Sequence, residues 1–355
     1  MKFSIDKDTQ ILATAGPTLK TIKDIEKAIF MGVNNFRLHL GSRDRDVKEY
    51  IENIRKAEKL TGSNVDVLLD LPSSRPRISS ISYRNLIVDK EYIITDAEIL
   101  DDNNIIPIPG IRKLFPHLKV GERVQFRDGK VTLIIMDINI SEGQLVTKCL
   151  ASNVKIGKGS SCVLPDSNVT YDVIVDEDLE VFSRLKESNL FPEWICISFA
   201  NNKNQILTMR HICNDYWPNR EIKLVAKIET AKGIKNIDEI LEVTDGIMIG
   251  RGDLALHTDP SIVPLLQSYL IKKTQLAEKL CIVGTEFFEC FANSGVANRA
   301  EVSDIANTVR ENVDAIMLSM ETANSKHPFE SIALIKKIIE IEKNSDVYLD
   351  EFLND

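Results

Sequence analysis

Two short segments hold the residues best suited to chemistry. In Leu224-Val-Ala-Lys-Ile-Glu-Thr230, Lys227 and Glu229 stand two apart at the end of an apolar run, so an extended chain presents both on one face. The next apolar run, Asp245-Gly-Ile-Met-Ile-Gly-Arg-Gly-Asp253, leaves through glycines and ends on Asp253. Two carboxylates beside an ammonium suit a divalent cation and a reaction that builds negative charge on an enolate or a phosphoryl group. Hard oxygen ligands favour Mg2+ or Mn2+ over zinc or copper. Six cysteines, at 149, 162, 196, 213, 281 and 290, include no CxxC pair and mostly lie in apolar runs. They read as reduced core thiols rather than as zinc ligands or disulfides.

The elements that must carry these residues alternate between strand-length apolar runs and amphipathic stretches of helix length. Strands are expected at 10–15, 33–38 and 65–70, with helices at 19–31 and 45–60. From about residue 78 to 165 the pattern changes to short strands with turn signals, such as Arg127-Asp-Gly-Lys130 before Val131-Thr-Leu-Ile-Ile135, and no long amphipathic helix is expected. Alternation resumes with strands at 194–199, 222–228, 246–249, 281–284 and 313–318. Eight βα units predict a closed (β/α)8 TIM barrel, residues 1–77 and 166–355, because closure leaves no exposed parallel edge. The β-rich insertion, 78–165, follows Asp70 at the exit of the third strand and is expected to act as a lid domain. A last helix at 328–341 is expected to give way to a polar tail, 342–355.

With 355 residues, 43% hydrophobic and 27% charged, the chain has the composition of a globular protein, with no membrane span expected. A net charge of −9 without a basic stripe argues against a nucleic-acid surface, so an anionic small-molecule substrate would need a locally positive pocket. No long apolar region precedes a cleavage site near Met1, which makes a cytoplasmic location the expectation.

Taken in order, several segments resemble the pyruvate kinase family across nearly the whole chain. They are Ile11-Leu-Ala-Thr-Ala-Gly-Pro17, Phe36-Arg-Leu-His-Leu40, Leu69-Asp70, Asp128-Gly129, Lys227-Ile-Glu229, 245–253, Arg299-Ala-Glu-Val-Ser-Asp-Ile-Ala-Asn307 and Met317-Leu-Ser-Met-Glu-Thr-Ala323. The resemblance implies that Lys227 contacts the phosphoryl group in transit and the developing enolate oxygen, and that Glu229 and Asp253 bind the divalent metal. It implies that Gly250, Arg251 and Gly252, with Ser198, receive the substrate, and that Thr285 lies near the carbon that gains a proton. Arg37 matches a phosphate-binding arginine, while Arg77 and Lys158 match lid residues that bind the ADP or ATP partner.

The departures cluster near the same mouth. Two oxygen ligands of the family's potassium site are replaced at His39 and Gly41, in the run His39-Leu-Gly-Ser42, and a third position is Leu71. Arg75 takes the place of a glutamate associated with potassium dependence, so a guanidinium near Asp70 is expected to supply the monovalent charge and make K+ unnecessary. Further changes fall at Leu254-Ala-Leu-His257, Ala297-Asn298 and Met320. The family's C-terminal regulatory domain is expected to be absent, and a homodimer through the helix containing 299–307 and a monomer both stay open.

Three functions compete. The first is phosphotransfer from phosphoenolpyruvate to ADP. The second is a diverged enolate enzyme, such as a metal-dependent aldolase or lyase or a specialised enolpyruvyl or phosphoryl transferase in a secondary pathway. Metal-dependent barrel aldolases use similar Ile-Glu-Thr and Gly-x-x-Asp-Leu segments. The third is a catalytically inactive binding subunit, disfavoured because so many charges are costly to crowd together unless ligands neutralise them.

Overall fold

Eight parallel strands close into a barrel in a computed structural model of the protein, which describes residues 8–41, 46–96 and 102–354. Three precede the insertion: β1 (Gln10–Thr14), β2 (Val33–His39) and β3 (Asp66–Leu71). The insertion holds β4 (Glu91–Thr95), β5 (Ile105–Pro107), β6 (Arg123–Phe126), β7 (Val131–Asn139) and β8 (Gln144–Ser152). The barrel resumes with β9 (Trp194–Ile197), β10 (Lys223–Ile228), β11 (Gly246–Gly250), β12 (Leu280–Gly284) and β13 (Ala315–Leu318). Going round, the order is β1-β13-β12-β11-β10-β9-β3-β2, and β3 pairs directly with β9, so the insertion leaves the barrel ladder unbroken.

The chain divides into two compact units, one of Met1–Pro72, Val173–Arg251 and Ile262–Asp355, the other of Ser73–Asp172 and Gly252–Ser261. In the first, side-chain alternation sorts each strand. Leu12, Leu68, Cys196, Val225, Met248, Ile282 and Met317 belong to one buried cluster, which fills the barrel as packed core. Gln10, Asp66 and Trp194 stand two residues before Leu12, Leu68 and Cys196 and join Asn35: Asn35 Nδ2 donates to Gln10 Oε1 at 3.0 Å, Asp66 N donates to Asn35 Oδ1 at 3.0 Å, and Trp194 Nε1 donates to Asp66 Oδ2 at 2.9 Å. That amide-rich layer closes the amino-terminal end. Two residues after Leu12, Asn35, Leu68, Cys196 and Val225, the same alternation puts Thr14, Arg37, Asp70, Ser198 and Lys227 at the carboxyl-terminal end.

The second unit carries a five-stranded sheet in the order β5-β4-β8-β7-β6. Its β6–β7 hairpin turns through Arg127, Asp128 and Gly129, all at positive φ (53°, 57° and 76°), with Lys130 N donating to Arg127 O at 3.1 Å.

Two expectations change at their edges. The second helix is Val47–Thr61, capped by Asp46 and stopped by Gly62 at φ 66°; Ser42 and Arg45 lie outside the described residues. The expected polar tail is helical: Pro328–Lys343 is followed by a further helix, Ser345–Asn354. Tyr348, Leu349, Phe352 and Leu353 recur at helical spacing within the polar composition, a pattern that a count of charges hides.

Candidate active site

The exits of β2, β3 and β10 bring four charged side chains together in the first unit. Arg37 Nε donates to Asp70 Oδ2 at 2.7 Å, its Nη2 lies 2.6 Å from the same oxygen, and its Nη1 donates to Thr14 Oγ1 at 3.0 Å. Ser198 Oγ donates to Asp70 Oδ1 at 3.3 Å. Lys227 Nζ stands 3.7 Å from Asp70 Oδ2 and 2.9 Å from Glu229 Oε1. Glu229 Oε2 in turn accepts from Phe199 N at 3.0 Å. All four side chains are buried, Asp70 completely.

Burial alone would push the Asp70 carboxyl up, but the Lys227 and Arg37 charges outweigh it and hold Asp70 well below the usual carboxylate range. Burial likewise opposes the Lys227 charge, and the Asp70 and Glu229 carboxylates reverse that, raising Lys227 above the ordinary lysine value. Asp70 and Lys227 are therefore both charged at neutral pH. Lys227 is a fixed cation there.

Neighbouring glycines shape the site. A Cβ on Gly250 would meet Glu229 Cγ at 2.7 Å and Oε1 at 2.8 Å, so only glycine lets the glutamate lie along the end of β11. A Cβ on Gly41 would fall 2.6 Å from His39 Nε2 and 3.3 Å from Pro72 Cβ. The imidazole fills the volume a side chain at 41 would use.

Thr285, just past β12, has φ 76°, and Glu286 has φ 58°, two consecutive left-handed residues of which the first is β-branched. Arg251 Nη2 donates to the Thr285 carbonyl at 2.7 Å, while its Nη1 reaches both Asp304 carboxylate oxygens at 2.8 Å. The guanidinium also lies over the Phe287 ring, 3.9 Å from its centroid. On the far side of the turn, buried Glu321 accepts from Phe287 N at 3.2 Å and Phe288 N at 3.3 Å. The Arg251 side chain is thus committed to this turn, which leaves its backbone for any ligand.

In the second unit, Arg75 Nη1 donates to Asp253 Oδ1 at 2.5 Å. Asp253, expected as a metal ligand, and Arg75, expected to serve Asp70, are partners; the cations on Asp70 are Arg37 and Lys227. Arg77 Nη1 donates to Gly159 O at 3.2 Å, beside exposed Lys158, across an antiparallel bridge from Arg77 to Ser161. Arg77 thus contacts the backbone of the residue that follows Lys158.

Thr14, Asp304 and Glu321 were missed by sequence reasoning as participants. Each lies in a segment or helix already singled out, yet nothing local marks a side chain whose partner is distant in the chain. The cysteines are all free, five of them buried and Cys290 exposed.

The donor chemistry fits a hard divalent cation. Glu229 and Asp253 are carboxylates, one in each unit, and Gly250 leaves the Glu229 side chain the space that a Cβ would fill. Among the described residues, no group of three or more His, Cys, Asp or Glu gathers as a metal cage.

A parallel barrel with buried Arg, Lys and carboxylates at its strand exits is the framework of a barrel enzyme that handles an anionic substrate. The model of the pyruvate kinase barrel domain matches residues 6–332, and the chain belongs to the pyruvate kinase family, an enzyme family of phosphotransferases. It is 30% identical over 351 residues to the pyruvate kinase of Thermotoga maritima, covering 96% of this chain and 72% of that protein. Against the pyruvate kinase of Geobacillus stearothermophilus identity is also 30%, with 94% of this chain and 56% of the relative covered. A crystal structure of a pyruvate kinase from Cryptosporidium parvum superposes with a TM-score of 0.84 at 28% identity, over 95% of this chain and 70% of that one. Among the described residues, no helix is long and apolar enough to cross a membrane.

Proposed function

We propose that the protein transfers a phosphoryl group from phosphoenolpyruvate to ADP, giving pyruvate and ATP through a stabilised enolate. The observation that carries this reading is the buried pair of cations, Arg37 and Lys227, fixed around Asp70. A phosphoryl group in transit needs positioned positive charge and little else. Arg37, braced by Thr14 and Asp70, offers a rigid guanidinium to phosphate oxygens. Lys227 is held protonated, so it acts on developing oxyanion charge and not as a proton shuttle.

Glu229 and Asp253 are the proposed ligands of Mg2+ or Mn2+. When bound, that ion supplies Lewis acidity toward phosphoryl and enolate oxygens. Gly250, Arg251 and Gly252 receive the substrate carboxylate through their backbone, with Ser198 adjoining Asp70. Thr285 is a poor acid alone and in this reading orients a water or relay chain toward the enolate carbon. Arg77 and Lys158 take the nucleotide phosphates. Potassium is not required, a reading supported by the imidazole of His39 occupying the space beside Gly41. The division 1–77 and 166–355 for the barrel and 78–165 for the lid and a cytoplasmic location complete the proposal, with a homodimer and a monomer both compatible with it.

The test is pyruvate formation from phosphoenolpyruvate with Mg2+, with and without ADP. Turnover that requires ADP supports phosphotransfer. Exchange of pyruvate methyl protons with no dependence on nucleotide overturns it in favour of an aldolase-like enolate enzyme, and absence of both activities favours a binding subunit.

A further inference from the structure

Arg75 is delivered to Asp253 from a pinned backbone. Ser74 N donates to Asp172 O at 2.9 Å and Asp172 N donates to Ser74 Oγ at 2.7 Å, fixing the residue before it. Pro76, after it, has a restricted φ, and its carbonyl accepts from Cys162 N at 2.8 Å. The side chains of the pair are 13% and 21% exposed, so water screens them little. Buried Tyr171 and Cys162 lie within the field of the same guanidinium, and burial pushes the Cys162 thiol up to about 12, which leaves the thiol neutral. Asp253 thus already carries a positive partner on Oδ1.

We propose that Arg75 is an internal competitor for the divalent cation at Asp253, so that metal capture depends on the arrival of an anionic ligand. The inference rests on the proposed role of Asp253 as a metal ligand. One carboxylate oxygen cannot make its shortest contact with both a guanidinium and a hard cation. Metal entering alone must displace Arg75 and leave a poorly hydrated cation without its partner, an unfavourable exchange. A dianionic ligand changes that balance, because it offers the released guanidinium and the metal a second source of negative charge. Coupling between metal and ligand is then positive and reciprocal.

Binding of Mn2+, followed by the electron paramagnetic resonance of the free ion, tests this without turnover, using oxalate as the dianion. The expected result is that Arg75→Gln binds Mn2+ alone about tenfold more tightly than wild type, the scale of one lost charge-assisted competitor. Oxalate should tighten Mn2+ by a larger factor in wild type than in Arg75→Gln. Arg75→Lys keeps the charge but loses the planar fork, gains less, and carries the comparison if Arg75→Gln does not fold. If Asp253→Asn weakens Mn2+ binding while both Arg75 variants match wild type, the competitor role is overturned and the ligand assignment stands. If Asp253→Asn binds Mn2+ as wild type does, the ligand assignment itself is wrong and the inference goes with it.

Discussion

Lys227 owes its charge to two carboxylates, and replacing it affects both chemistry and stability. Lys227→Met is expected to lower turnover by about 10² to 10³, as for loss of a preorganised oxyanion donor. The same change strips Glu229 and Asp70 of a buried cation and should destabilise the metal-free protein by about 3–5 kcal/mol, measured by urea unfolding. Near-normal turnover would sink the phosphotransfer mechanism. Asp70→Asn tests the other half of the cluster. Its folded pKa is depressed, so its contribution is present above about pH 4, the ordinary value for Asp, and is lost as pH falls through the folded value. Lys227 has a raised folded pKa, so its contribution is present below the unfolded value and is lost only as pH rises through the folded one. Between those limits Asp70 and Lys227 add no pH slope. Asp70→Asn should therefore cost stability at pH 7 yet lose less than wild type between pH 6 and pH 3; an unchanged acid limb would remove Asp70 from this account.

At the scale of elements, the turn after β12 is held in a left-handed conformation from two sides, by Arg251 at the Thr285 carbonyl and by Glu321 at the Phe287 and Phe288 amides. Conformations of that kind cost about 1–3 kcal/mol per residue and persist only where surrounding contacts over-determine them. Arg251→Gln is expected to lose about 1.5–3 kcal/mol of stability, the usual value of a hydrogen bond to a charged group. It should also lower kcat more than it raises KM, because Thr285 would no longer be aimed. Equal effects on both parameters would place Arg251 in substrate binding instead. The exit of β11 is constrained differently. Gly250→Ala drives a methyl into Glu229 and should cost about 1–3 kcal/mol by overpacking, with a clear loss of divalent-cation affinity in calorimetry. Unchanged affinity would show that Glu229 is not a ligand.

For the molecule as a whole, a chain of net charge −9 buries two cations, Arg37 and Lys227, against two carboxylates, Asp70 and Glu229, at the carboxyl-terminal end of its barrel. In the proposed reading, Arg37 and Lys227 at Asp70 and the His39 imidazole beside Gly41 take the place of a monovalent cation. Activity in Na+, K+ and tetramethylammonium buffers of equal ionic strength is expected to be the same, since general screening is then constant. A severalfold stimulation specific to K+ would reject that expectation.

The amino-acid sequence by itself determined the order of βα units, the place of the insertion and the family, because periodicity and turn residues act within short windows. It also marked Lys227, Glu229 and Asp253 as charges at strand exits, and Arg37 through the family resemblance. Tertiary structure decided which of them meet. Arg37 and Asp70 are 33 residues apart and Arg75 and Asp253 are 178 apart, so their pairing depends on barrel register and on how the second unit folds. The partners of Arg75 and Arg251 were illegible for that reason. So was the helix Ser345–Asn354, where four apolar side chains at helical spacing are diluted by acidic neighbours. Ion pairs are chosen by distance and burial after the chain has closed, and no local pattern encodes either.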